Sequence, residues 1–107
     1  MVTVSIAKNF TRFPAGRYKR NGDTSGEAFR ELFLEEPLRR GEPVTVDFDG
    51  TVGYGSSFLE EAFGGVVRSL KLSAQFVLDH LTLQSSDPSL RDEVKEYILD
   101  AGGNSGQ

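Results

Sequence analysis

Cysteine and tryptophan are missing from the 107 residues, and histidine occurs once, at position 80. Without cysteine there is no disulfide framework, no thiolate metal site and no cysteine nucleophile. With His80 alone, most metal centres and all paired-histidine chemistry go as well, so neither a metal nor a cofactor is expected. No run approaches the ~20 apolar residues of a membrane-spanning helix, and no apolar block near the N-terminus has the form of a secretory signal. These gaps together point to a cytoplasmic protein. At this length a single domain is expected, because two would each be too small to bury a core.

Charge is present but unevenly spread. Lys8, Arg12, Arg17, Lys19 and Arg20 carry residues 1–22 with no acid among them, whereas residues 23–107 hold seven bases and sixteen acids, a balance of −9. An acidic body excludes general binding to nucleic acid, which needs concentrated positive charge against phosphate. The basic opening either forms one local anion-binding patch or pairs with the acidic helices.

Hydrophobic periodicity gives the element order. Val2-Thr3-Val4-Ser5-Ile6-Ala7 alternates as a half-buried strand does, and Val44 to Asp49 does so more cleanly. Between them, Phe10 to Tyr18 suggests a turn and a second short strand. Thr24-Ser25-Gly26-Glu27 fits a capping box with Thr24 at the N-cap, opening a helix with Phe29, Leu32, Phe33 and Leu34 on its apolar side. That helix should fade before Pro37. Ser57-Phe58-Leu59-Glu60 is a second capping box, and Phe58, Leu59, Ala62, Phe63, Val66, Val67 and Leu70 recur at helical spacing behind it. A short helical turn fits 73–79, a strand fits Leu81 to Gln84, and Asp87-Pro88 opens a last helix that should end at Gly102-Gly103. Strands alternating with helices mean an α/β domain with a mainly parallel or mixed sheet. The domain spans 1–101, and 102–107 reads as a flexible tail.

Three motifs bear on function. Asp47-Phe48-Asp49-Gly50-Thr51 after an apolar strand resembles the first motif of haloacid-dehalogenase-type phosphatases, where the first aspartate is the nucleophile and Mg²⁺ assists. Lys71 and Lys95 follow it, but no later paired acids do, and the other reading is that Asp47 and Asp49 hold neighbouring loop amides. In the second motif, Gly53-Tyr54-Gly55-Ser56-Ser57, a glycine-rich bend delivers two hydroxyls to the mouth of a helix. Unpaired amides there favour an anion or a phosphoserine, while Glu60 and Glu61 one turn on would repel it. Arg17 and Arg68 are the candidate anion ligands. The third motif, Gly64-Gly65 inside a helix, costs ~1 kcal/mol per residue against alanine. Either the helix packs unusually close to the sheet or its smooth flank admits a partner.

The runs Gly16-Arg17-Tyr18, Thr24 to Arg30, Val46 to Gly50 and Gly55 to Gly65 carry a resemblance. The chain looks like the STAS domain of anti-sigma-factor antagonists, and more closely like a bacterial family described only as STAS-like and of unknown function. The resemblance implies a four- or five-stranded sheet with helices mainly on one face and no intrinsic catalysis. It also implies docking to a histidine-kinase-like ATPase or serine kinase, switched by phosphorylation of a serine at the start of a helix. By position, Ser56 matches that serine and Ser57 its neighbour. Gly55 stands where antagonists have aspartate, and Phe58 where they have glycine.

The expectation is therefore a non-catalytic partner-switching module of signal transduction. Its docking loop and helix run over 53–68: Gly53, Tyr54, Gly55, Ser56, Ser57 and Phe58 at the mouth, then Glu60, Glu61, Gly64, Gly65 and Arg68. A nucleotide or small-anion sensor using the same helix mouth is the alternative, with an Mg²⁺-dependent phosphatase behind it. Nothing in Val2–Ala7 blocks edge pairing, which leaves a homodimer open. No nucleic acid and no membrane are expected as partners.

Overall fold

A computed structural model describes residues 2–103. Three strands, β1 (Val2–Ser5), β2 (Val44–Asp47) and β3 (Leu81–Gln84), form one parallel sheet in the order β1-β2-β3. The register sets Val2 beside Val44 and Leu81, and Val4 beside Val46 and Leu83. Those six residues make the apolar face. Thr3, Thr45 and Thr82 form a polar row on the opposite face, next to Ser5, Asp47 and Gln84. Both crossovers advance in the same direction, so right-handed connections lay all the helices on the apolar face.

Those helices are α1 (residues 26–39), α2 (56–70), α3 (Ala74–His80) and α4 (Pro88–Gly103). Each of the first two is α-helical at both ends and π-helical in the middle, at Arg30–Leu34 in α1 and Glu60–Gly64 in α2. Glu35 N–H reaches back five residues to Arg30 O, and Gly65 N–H to Glu60 O. Phe29 is central to the core, with ring centroids of Phe33 at 5.3 Å, Phe10 at 5.5 Å, Phe58 at 6.0 Å and Phe63 at 6.1 Å. Such offset and edge-on aromatic contacts add to the area they bury.

Several expectations are corrected. Among the described residues the sheet has three parallel strands, not the mixed four or five. The second strand expected before Tyr18 does not form because its backbone has other partners. Ala15 N–H donates to Thr24 O, while Gly16 O and Arg17 O accept the N–H groups of Gly26 and Glu27. The segment thus caps the start of α1, whose first amides lack partners inside the helix. The side-chain cap is Ser25, not Thr24: Ser25 Oγ accepts from Ala28 N–H at 3.1 Å, and Glu27 turns instead to Lys19 N–H. β1 stops at Ser5, where the chain winds into a π-helical turn, Ile6–Phe10.

The wide turns account for two further differences. A π turn holds one extra residue and so rotates the face that follows it. Leu32, expected inside, is 67% exposed, whereas Leu34 and Leu38 are fully buried. The helix also runs through Pro37, which lies in the turn that restarts at Glu35, where a missing N–H is tolerated. Gly102 and Gly103, expected in the tail, continue α4. The remainder of that expectation, 104–107, lies outside the described residues.

α1 and α2 meet at Gly26. A Cβ there would lie 2.4 Å from Phe58 O and 3.1 Å from Ala62 N, so only glycine lets the two backbones approach this closely. Gly26→Ala is expected to lower stability by about 2 kcal/mol in urea unfolding, the range of an overpacked core. Gly55→Ala, which would meet nothing within 4 Å, is expected to change it by no more than about 0.5 kcal/mol.

Candidate functional site

The loop between β2 and α2 is held at three points. Asp47 Oδ1 accepts from Asp49 N–H at 3.0 Å and turns the chain directly after the strand. Asp49 Oδ1 in turn accepts from Ser86 N–H and Ser86 Oγ, both at 3.0 Å, joining this loop to the one after β3. Further on, Tyr54 donates its hydroxyl to Phe48 O at 2.6 Å and lays its ring 5.6 Å from Phe48 and 6.0 Å from Phe58. Burial, with a smaller push from the Asp47 and Asp49 charges, raises the Tyr54 phenol to about 12. It stays protonated and serves as an anchor. The two aspartates of the phosphatase-like motif are thus acceptors that hold loops together. Among the described residues no group of three or more His, Asp or Glu is placed to hold a metal ion.

Ser56 and Ser57 are the first two residues of α2, and both are exposed. Gly55 occupies the N-cap and makes no side-chain cap bond, so the capping box expected at Ser57 is not formed. Two apolar residues that periodicity did not single out are exposed as well, Val52 in the loop that leads into α2 and Phe13 in the loop after the first π-helical turn. Val52 is 67% exposed and Phe13 61% exposed, and Val52 N–H donates to Arg12 O at 2.9 Å, which joins their loops. The signal was present in the sequence, since each is a large apolar residue inside a stretch of turn formers.

The rest of the expected docking segment is distributed differently. Gly53, Gly55 and Arg68 are exposed, Tyr54 and Glu60 half-buried, and Phe58, Glu61, Gly64 and Gly65 buried. The Gly-Gly pair faces inward. A Cβ at Gly64 would sit 2.7 Å from Glu60 Oε2 and 3.2 Å from Tyr97 O of α4; one at Gly65 would sit 3.0 Å from both Arg30 Nε and Glu61 Oε2. The glycines do pack closely, but the expectation of packing against the sheet is corrected: the atoms nearest them belong to α1, α2 and α4.

Arg17 and Arg68 do not stand open to an anion. Arg17 Nη1 lies 2.6 Å from Glu60 Oε1, and Arg68 Nη1 lies 2.6 Å from Glu60 Oε2. Glu61 lies 3.5 Å from Arg17 and 3.6 Å from Arg68, and its other oxygen meets Arg30 at 3.0 Å. Arg30, itself buried, also binds Glu35 of its own helix, and its Nε has no hydrogen-bond partner among the described residues. The hydrogen bond from Arg68, opposed by burial and reinforced by Arg17, holds the Glu60 carboxyl below its ordinary value. His80 is structural in its contacts, stacked on Phe76 at 4.0 Å with Nδ1 2.8 Å from Phe76 O.

A family model described as a STAS-like domain of unknown function (DUF4325) matches residues 25–96. The chain belongs to that family. The match takes in α1, β2, the glycine-rich bend, α2, α3, β3 and most of α4, so the fold elements that build the site are those of the STAS-like domain. No curated protein and no solved structure matches the chain. No helix among the described residues is long and apolar enough to cross a membrane.

Because the Glu60 pKa is lowered by folding, its contribution to stability is present above the unfolded value of ~4.3 and is lost as pH falls through the lower folded value. The thermal midpoint should therefore drop between about pH 5 and pH 3, and Glu60→Gln should make that drop shallower. Arg30→Met removes the hydrogen-bonded partner of the buried Glu61 Oε2 and leaves that carboxylate only the longer contacts to Arg17 and Arg68, so it should cost about 3 kcal/mol in urea unfolding at pH 7.

Proposed function

We propose that this STAS-like domain is a non-catalytic interaction module of bacterial signal transduction. It docks a cytoplasmic ATPase of the histidine-kinase-like class, or a serine kinase of that class, through the mouth of α2, and phosphorylation of Ser56 or Ser57 switches the complex. The observation that carries this reading is the mouth itself: two exposed serines opening α2, preceded by a loop that carries exposed Val52. A hydroxyl pair alone would be an ordinary helix start. At the end of an anchored loop that also exposes Val52, it has the make-up of a small docking face of mixed polar and apolar groups.

The reading assigns the buried part of the 53–68 segment to support. Phe58, Glu61, Gly64 and Gly65 hold α2 in place, while Val52, Gly53, Gly55, Ser56 and Ser57 meet the partner. The small-anion alternative draws no support from the geometry, since the arginines it needs are occupied by Glu60 and Glu61.

The test starts by recovering the partner from the native host with the intact protein and reading phosphosites in the same sample by mass spectrometry. Calorimetry on the recovered ATPase should then show Ser56→Asp weakening the complex at least about tenfold through charge placed within the docking face. Val52→Asp should do the same, and Leu99→Gln on α4 should leave affinity unchanged. Wild-type affinity in both aspartate variants would remove the α2 mouth from the account.

A further inference from the structure

The geometry points to a second interaction surface, at the free edge of β3, that takes an acidic extended segment of another protein as an added strand. It goes beyond the docking of the α2 mouth and shares no residue with it.

Among the described residues β3 is paired on one side only. Phe48 N–H donates to Gln84 O, so in the parallel ladder Thr82 and Gln84 turn their backbone groups toward β2. Leu83, between them, turns its N–H and C=O outward. Beside this edge lies a groove of about 480 Å³, walled by Leu78 of α3 and by Arg91 and Lys95 of α4. An unpaired edge of this kind is a template for a further strand. The connection after β3 returns through α4 on the helix layer, so this groove is the next strand position in the β-α order.

The charge of the wall selects the occupant. Arg91 and Lys95 stand four residues apart, so they share one face of α4, where like charges repel. Neither makes an ion pair among the described residues; Arg91 Nη1 donates to a carbonyl, Ser85 O, at 2.5 Å. Arg17, Arg30 and Arg68, by contrast, each lie against a glutamate. Two cations that line one groove, neither within ion-pair distance of an acid among the described residues, fit carboxylates on the incoming segment. A second copy of β3 is disfavoured, since two-fold pairing would bring the two Arg91–Lys95 pairs together. The segment's helix-facing side would carry one apolar residue against Leu78 and Leu83, with acids beside Arg91 and Lys95. Its other side would continue the polar row of Thr3, Thr45 and Thr82.

A labelled seven-residue peptide alternating threonine with glutamate around one central valine is the probe, with its lysine counterpart as control. Fluorescence anisotropy on the full chain should show the glutamate peptide binding at least about tenfold tighter than the lysine peptide, with the difference shrinking in high salt. The double variant R91E/K95E should reverse that preference. Leu83→Pro deletes the outward N–H and spares the ladder to β2. It should cut binding of the glutamate peptide by a similar factor while the thermal melt stays cooperative. If Leu83→Pro does not fold, the charge reversal alone decides. Equal binding of the two peptides, no binding up to millimolar concentration, insensitivity to R91E/K95E, or a dimer abolished by R91E/K95E would each overturn the proposal. Loss of partner binding at Ser56 or Val52 bears on none of these readouts, so the two proposals fail separately.

Discussion

The backbone contact between Gly26 and Phe58 is the constraint on which the rest of the molecule depends. A side chain at Gly26 would collide with Phe58 O at 2.4 Å, so the pairing of α1 with α2 exists only because that Cβ is missing. The approach brings the π-helical middle of each helix to the other, and there Arg30 meets Glu61 at 3.0 Å in a buried layer. Burying two charges is costly and contributes little net stability, but leaving either without its partner costs far more. The pair thus fixes how the helices lie against each other, and with them the direction in which the mouth of α2 faces.

The π turns are part of the same arrangement. Each inserts a residue, and in each helix a core face continues after the turn on a shifted set of positions. In α1 this moves Leu32 outward and brings Leu34 and Leu38 inward, while Arg30 comes to face α2. In α2 it turns Glu61 inward and sets Gly64 against Tyr97 O of α4. The local cost of two glycines and two irregular turns is offset by helix–helix distances that regular helices with larger side chains would not reach.

What the sequence made legible follows from which signals are local. Strand Leu81–Gln84 was readable to the residue, as was Pro88 opening α4, where Asp87 Oδ1 accepts from Ser89 N–H. Alternation and capping are written within a few residues. The segment 10–18 was misread as a strand because its carbonyls bond the start of α1, a tertiary fact with no local trace. Both capping boxes were misplaced for the same kind of reason. Thr24 and Ser57 have the right chemistry, yet packing at Gly26 and the bend at Gly55 set the helix starts one or two residues away. The exposed serines were found and exposed Val52 and Phe13 were not, because a loop valine and a loop phenylalanine have no period to betray them.

The charge layer also decides what a new charge at the serines would meet. Glu60 and Glu61 already hold Arg17, Arg68 and Arg30, so no arginine of this layer is left open for a phosphate at the start of α2. A phosphate there would gain from the helix dipole and lose to Glu60 and Glu61, effects of similar size at an exposed site. The fold is therefore nearly indifferent to such a charge, held as it is by Gly26, the aromatic core and Arg30. A partner pressed against the mouth of α2 is not indifferent, because it must exclude water from the same spot. Under the proposed reading, that asymmetry lets a modification end an interaction without disturbing the domain that carries it.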